Sequence, residues 1–204
     1  MKSGLTNDRL FEQGLGWFRH FGWDPRDFQR KAWKSAIAQK SGLVNAPTGS
    51  GKTYSLLVPA LLCSSNREPK PGKGLRILWI TPIRALSREI EQATERMLKE
   101  FLPEWRVGVR NGDTGAAERK MQQKSCPEVL ISTPESLHLL LAMKGYPTFF
   151  KSLDFVVVDE WHELLGSKRG VQVELALSRL RNLRPKLQTW GITATIGNLE
   201  EGQY

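Results

Sequence analysis

The chain has 204 residues, 40% hydrophobic and 25% charged, which suits one soluble globular domain with a sizeable core. Its longest apolar run, Leu56–Cys63, is interrupted by Pro59 and too short to span a bilayer, and Met1–Arg9 lacks the charged-then-apolar layout of a signal peptide. No membrane partner and a cytoplasmic location are therefore expected. The formal net charge of +9 fits a polyanionic partner such as nucleic acid, and equally a solubilising surface, while Cys63 and Cys126 have no metal-site spacing and read as reduced thiols.

In chain order, residues 1–20 give no clear element and are taken as an N-terminal extension to a domain at 21–204. Arg26–Lys40 places Phe28, Ala32, Trp33, Ala36 and Ile37 at helical spacing. A short apolar strand, Leu43–Val44, leads into Ala46-Pro47-Thr48-Gly49-Ser50-Gly51-Lys52-Thr53, and a helix follows at Tyr54–Leu62. This strand–loop–helix order is the setting of a phosphate-binding loop. Gly49 and Gly51 let backbone N–H groups, with those of Thr48 and Ser50, turn toward phosphate oxygens. Lys52 supplies an ammonium for the β- and γ-phosphates, and the Thr53 hydroxyl suits Mg²⁺. Ala46 stands where the usual pattern has Gly, a small-for-small exchange.

Ser64–Gly74 is rich in Pro, Gly, Ser and Lys and reads as a loop. Strands are predicted at Leu75–Ile80, Arg106–Val109, Val129–Ile131, Phe155–Val158 and Thr189–Ile192. Between them lie amphipathic stretches. One is Arg84–Phe101, with Leu86, Ile90, Ala93, Met97 and Phe101 on one stripe; another carries Val173, Ala176, Leu177, Leu180 and Leu183. Alternation of strand and helix predicts an α/β fold, a mostly parallel sheet with helices on both faces in a three-layer sandwich.

The strand Phe155–Val158 ends in Asp159-Glu160-Trp161-His162. Ligands of open α/β sheets sit at that edge. Asp159 there suits the Mg²⁺ shell and Glu160 suits a general base for an attacking water, although solvated acids at a strand end are common. His162-Glu163 begins a zinc-protease helix pattern, but Gly166 stands where its second His belongs.

With these elements placed, the chain from Phe21 to Leu199 resembles the superfamily-two helicases of DExH type, and within them the Lhr-like and ligase-associated DExH-box helicases. Val156–Gly170 is the most specific stretch. The resemblance implies a RecA-like, P-loop NTPase domain binding ATP and Mg²⁺. It implies that Gln29, in Pro25-Arg26-Asp27-Phe28-Gln29, reads adenine, with Phe21 or Trp23 stacking on the base. It implies single-stranded nucleic-acid contacts, DNA ahead of RNA, at Thr81, Pro82 and Arg84, at Gly112, and at Thr133, Pro134 and Glu135. Thr133 also reads as a plain helix cap, with Pro134 at the first helical position. Thr193, Ala194 and Thr195 resemble the Ser-Ala-Thr element that couples hydrolysis to strand movement, and His162 resembles its coupling histidine.

The resemblance further implies a second RecA-like domain that supplies arginine fingers, and a role in DNA repair beside a DNA ligase or nuclease through operon association. The 204 residues hold one RecA-like unit and read as one half of a motor, which by itself is expected to bind ATP weakly and turn it over slowly or not at all. An RNA helicase and a nucleic-acid-binding module without turnover are the other readings, with a different P-loop ATPase as a fourth that the Thr-Ala-Thr after the last strand counts against.

Overall fold

The computed structural model describes residues 6–47, 49–67 and 74–194. In chain order the elements are α1 (Asn7–His20), α2 (Asp27–Ile37), β1 (Gly42–Asn45), α3 (Lys52–Ser65), β2 (Ile77–Ile80), α4 (Arg84–Phe101), β3 (Val107–Arg110), α5 (Ala116–Lys124), β4 (Val129–Ser132), α6 (Pro134–Ala142), α7 (Tyr146–Phe149), β5 (Phe155–Val158), α8 (Trp161–Leu164), α9 (Lys168–Leu183) and β6 (Gln188–Thr193). The strands form one six-stranded sheet in the order β1-β6-β5-β2-β4-β3, and every pair is parallel.

Side chains alternate across the strands and build two cores, as a pleat of period two requires. Ile77, Trp79, Phe155, Val157, Trp190 and Ile192 face a layer formed by α1 to α4. Leu78, Ile80, Leu130, Val156 and Val158 face α6 and α9, whose Leu137, Leu140, Val173 and Leu177 complete the second core. This is the predicted α/β architecture with helices on both faces.

Residues 7–20, unassigned from sequence, form α1. Thr6 caps it, its hydroxyl accepting from the Arg9 N–H, and Leu10, Leu15, Trp17 and Phe18 are buried in the α1–α4 core. Gly14 explains the weak signal: a Cβ there would lie 3.1 Å from Leu62 Cδ1, so glycine admits close packing at the expense of helix propensity. Cys63 and Cys126 are free, and burial pushes both thiols up to about 12, which keeps them protonated. No described helix is long and apolar enough to cross a membrane.

Because all strands are parallel, their C-terminal ends share one edge. The segments after β1, β5 and β6 occupy one half of that edge, and those after β2, β4 and β3 the other. The sheet order thus separates the phosphate-loop, acidic and Thr-Ala-Thr segments from the three segments expected to meet nucleic acid.

Candidate functional site

The loop after β1 turns through Gly49 at φ 74° and Gly51 at φ 81°. Both lie in the left-handed region that glycine adopts without strain. Gly51 is the N-cap of α3, so the first helical residue is Lys52, followed by Thr53. Ser50 closes the turn by donating its hydroxyl to the Pro47 carbonyl at 2.6 Å. Gly49, Ser50, Gly51, Lys52 and Thr53 therefore lie together at a helix N-terminus, where backbone donors and the dipole favour an anion. Thr48 and Thr195 lie outside the described residues.

Lys52 is only 9% exposed, and its ammonium has no hydrogen-bond partner among the described residues. The nearest acid, Glu160 Oε1, lies 3.8 Å away. A buried ammonium without hydrogen bonds is costly, and an anion of phosphate size at the loop would satisfy it. The residues present thus fit a nucleotide's phosphates.

Across the sheet edge, Asp159 is buried at the end of β5. Its Oδ1 accepts the Glu160 N–H at 2.9 Å and its Oδ2 accepts Trp79 Nε1–H at 3.4 Å. Burial pushes the Asp159 carboxyl up to about 6, and the Glu160 charge adds to the rise. The two hydrogen bonds and the Lys52 ammonium oppose it. A divalent cation facing this carboxylate would offset the burial. No group of three or more metal-binding side chains gathers among the described residues. Mg²⁺ is ordinarily held by one or two protein oxygens together with nucleotide phosphates and water, and the Asp159 carboxylate is chemically suited to be one of them.

Glu160 sits in the left-handed region at φ 46° and ψ 49°, as the N-cap of α8. A non-glycine residue there is strained, and such strain concentrates at functional sites. His162, in the first turn of α8, connects this carboxylate to β6. Its Nδ1 lies 3.4 Å from Glu160 Oε2 and 3.2 Å from Thr193 Oγ1. The Thr193 hydroxyl donates to the Ala194 carbonyl at 3.1 Å, which leaves its lone pair free to accept from His162. A proton on Nδ1 then satisfies both contacts. The structure brings Lys52, Asp159, Glu160, His162 and Thr193 into one connected cluster.

On the other side of the loop, Gln29 is buried at the start of α2. Its Oε1 accepts the Arg26 N–H at 2.8 Å and its Nε2 donates to the Gly51 carbonyl at 2.9 Å. One amide hydrogen and one oxygen lone pair remain, the pair that an adenine edge would need. Gln29 and Gly51 line an open cavity of about 260 Å³ with Phe18, Trp23, Arg26 and Tyr54. Of the two aromatics expected to stack on the base, Trp23 lines this cavity, whereas Phe21 does not and stacks on Trp23 at 4.8 Å. Phe18, Tyr54 and Trp79 carried no signal in the sequence, because nothing local distinguishes them from core aromatics.

The second half of the edge holds the remaining segments. Thr81 and Pro82 are buried after β2, and Arg84 opens α4. The Arg84 guanidinium reaches Asp113 at 3.2 Å, and a Cβ at Gly112 would lie 2.9 Å from it. Gly112 therefore leaves room for Arg84. Thr133 caps α6 by accepting the Ser136 N–H at 3.4 Å, Pro134 is the first helical residue, and Glu135 follows in the first turn. Glu135 is held by Arg169, with Oε1 2.6 Å from Nε and Oε2 3.3 Å from a terminal nitrogen.

Comparison with known proteins agrees with this geometry. The profile of the DEAD/DEAH box helicase family matches residues 26–201. The chain is 38% identical to the ATP-dependent helicase Lhr-Core protein 2 of Thermococcus barophilus over 78% of its length, and 36% identical to the Lhr helicase/uracil glycosylase of Escherichia coli over 95%. It spans 20% and 14% of those relatives. The structure of Mycobacterium smegmatis helicase Lhr bound to ssDNA and AMP-PNP superposes with a TM-score of 0.76 at 33% identity, covering 92% of this chain and 24% of that one.

Proposed function

The chain belongs to the DEAD/DEAH box helicase family, and on that premise we propose that it is the ATP-binding motor domain of an Lhr-type enzyme that moves along single-stranded DNA, in the service of DNA repair. The observation that carries this reading is the buried Lys52 ammonium, without a hydrogen-bond partner among the described residues, beside the glycine loop and 3.8 Å from Glu160.

In this reading ATP's phosphates lie against the N-terminus of α3, and Lys52 turns from Glu160 to the β- and γ-phosphates. That movement frees the Glu160 carboxylate to take a proton from the water attacking the γ-phosphorus as the bond to ADP breaks. Thr53 and Asp159 would hold Mg²⁺, which would supply charge neutralisation on the phosphate oxygens. Gln29 and Trp23 receive the adenine. His162 passes changes at Glu160 to Thr193, Ala194 and Thr195. Thr81, Pro82, Arg84, Gly112, Thr133, Pro134 and Glu135 form the strand face, whose contacts to phosphate and sugar give little sequence preference.

DNA is preferred to RNA because the M. smegmatis relative is described with ssDNA and the E. coli relative pairs its helicase with a uracil glycosylase. The test is ATPase activity of the intact protein with single-stranded DNA, single-stranded RNA or neither, alongside Mg²⁺-dependent nucleotide binding by the 204-residue chain. Stimulation by neither polymer would remove the motor reading; stimulation by RNA alone would reassign the substrate.

A further inference from the structure

The Arg169–Glu135 pair joins the two halves of the site. Glu135 lies in the first turn of α6, directly after Thr133 and Pro134. Arg169 lies in the first turn of α9, which begins shortly after the Glu160 to Leu164 segment. Both carboxylate oxygens are engaged by the guanidinium, a two-point contact that fixes orientation as well as distance. A cation in the first turn opposes the helix dipole, so Arg169 is misplaced by the needs of α9 alone, and Glu135 is what offsets it.

The start of α9 is itself clamped to α8. Ser167 caps α9 by accepting the Gly170 N–H at 3.0 Å and donates its hydroxyl to the Leu164 carbonyl at 2.8 Å. Gly170 sits so close to that carbonyl that a Cβ would overlap its oxygen. α8 in turn begins at the strained Glu160. A continuous run of contacts therefore leads from the base, through Leu164, Ser167 and Gly170, to Arg169 and across to the Thr133–Glu135 cap. As a half-exposed surface pair it adds little to global stability, so its geometry points to positioning rather than to holding the fold.

We infer that Arg169 is a positioning residue for strand-stimulated hydrolysis: through Glu135 it ties the α6 cap on the strand face to the α8 segment that carries the catalytic carboxylate. The inference rests on the motor reading above. A rigid tie of this kind transmits a shift of the cap, on strand binding, to Glu160, without Arg169 itself contacting the strand.

The experiment measures three quantities on the intact protein: unstimulated ATPase, kcat at saturating single-stranded DNA, and the affinity for a labelled oligonucleotide by fluorescence anisotropy. The variants are Arg169→Gln, Glu135→Gln, their double, and Lys168→Gln as a control that removes a cation from the same turn. Arg169→Gln is expected to leave unstimulated ATPase and strand affinity within about twofold while lowering the stimulated kcat about tenfold, a typical coupling between sites. The double variant should have the same stimulated kcat as Glu135→Gln alone, because the two side chains act as one unit. Lys168→Gln should behave as wild type. Loss of strand affinity at unchanged kcat in Arg169→Gln would make it a direct strand ligand. An equal fall in Lys168→Gln, additive losses in the double, or no change at all would each overturn the tie. Absence of stimulation in the wild type would instead refute the motor reading beneath it.

Discussion

Replacing Asp159 with asparagine measures what the fold gives up to keep this carboxylate. The carboxyl rises from 3.8 to about 6 on folding. Two units correspond to roughly 3 kcal/mol against the ionised form. Above both values the group is charged in the folded and unfolded states, and the native state bears the full penalty. Between about 6 and 3.8 the native state holds a proton that the unfolded chain has lost, so stability rises as pH falls through that window. Asn carries no charge, but it weakens the acceptor for Trp79 Nε1–H, a loss of about 1 kcal/mol. Asp159→Asn should therefore stabilise the 204-residue chain by about 2 kcal/mol at pH 7.5, a rise in Tm of about 4–8 °C. At pH 5 native protonation returns about 1.4 kcal/mol to the wild type, so the gap should shrink by more than half. Thermal unfolding followed by circular dichroism at the two pH values reads both effects. A lower Tm for the variant at pH 7.5, or a gap that does not change with pH, would refute the burial reasoning.

The same melts with ATP and Mg²⁺ supply a second prediction: the wild type should gain stability from Mg²⁺ beyond that from ATP alone, and Asp159→Asn should lose that increment. Lys52→Met removes a buried ammonium of matching length, so nucleotide affinity should fall by at least about tenfold, as for a lost charged hydrogen bond, while Tm holds or rises; binding of a fluorescent ATP analogue reads it. Gln29→Ala leaves the Arg26 N–H and the Gly51 carbonyl without their partner. A loss of about 1–3 kcal/mol in stability, by denaturant unfolding, should accompany weaker ATP binding. Gly170→Ala forces a methyl into the Leu164 carbonyl and should destabilise by about 1–3 kcal/mol in the same assay.

Strand positions were legible because β2, β4 and β5 are apolar on both faces and stand out as short runs. The ends of β6 were not. Gln188 is a buried polar residue whose amide donates to the Ala36 and Lys40 carbonyls at the end of α2, far away in sequence. Thr193 extends the strand toward His162, which equally only the folded chain brings near. The phosphate loop and acidic segment were legible because their chemistry is local. Trp79 and Arg169 were not, since each acquires its role from a partner that lies 80 and 34 positions away. The adenine-side aromatics divided on the same ground: Trp23 and Phe21 are alike in sequence, and packing against Phe101 turns Phe21 away.

The cluster's energetic character follows from where β5 lies. It is flanked by β6 on the nucleotide half and by β2 on the strand half, so the residues that follow it stand at the boundary between the two. Unfavourable terms gather there: a carboxylate penalised by burial at Asp159, a left-handed Glu160, and a buried Lys52 ammonium without a hydrogen-bond partner among the described residues. On the proposed reading a cation would relieve the first and a phosphate the last. A site assembled from independently relaxed residues would bind ATP and change little. Here the relief of one term alters the next, because Lys52, Glu160 and His162 share contacts and Thr193 closes the chain. On the proposed reading, any substitution that relaxes one of these terms should gain stability while weakening nucleotide binding.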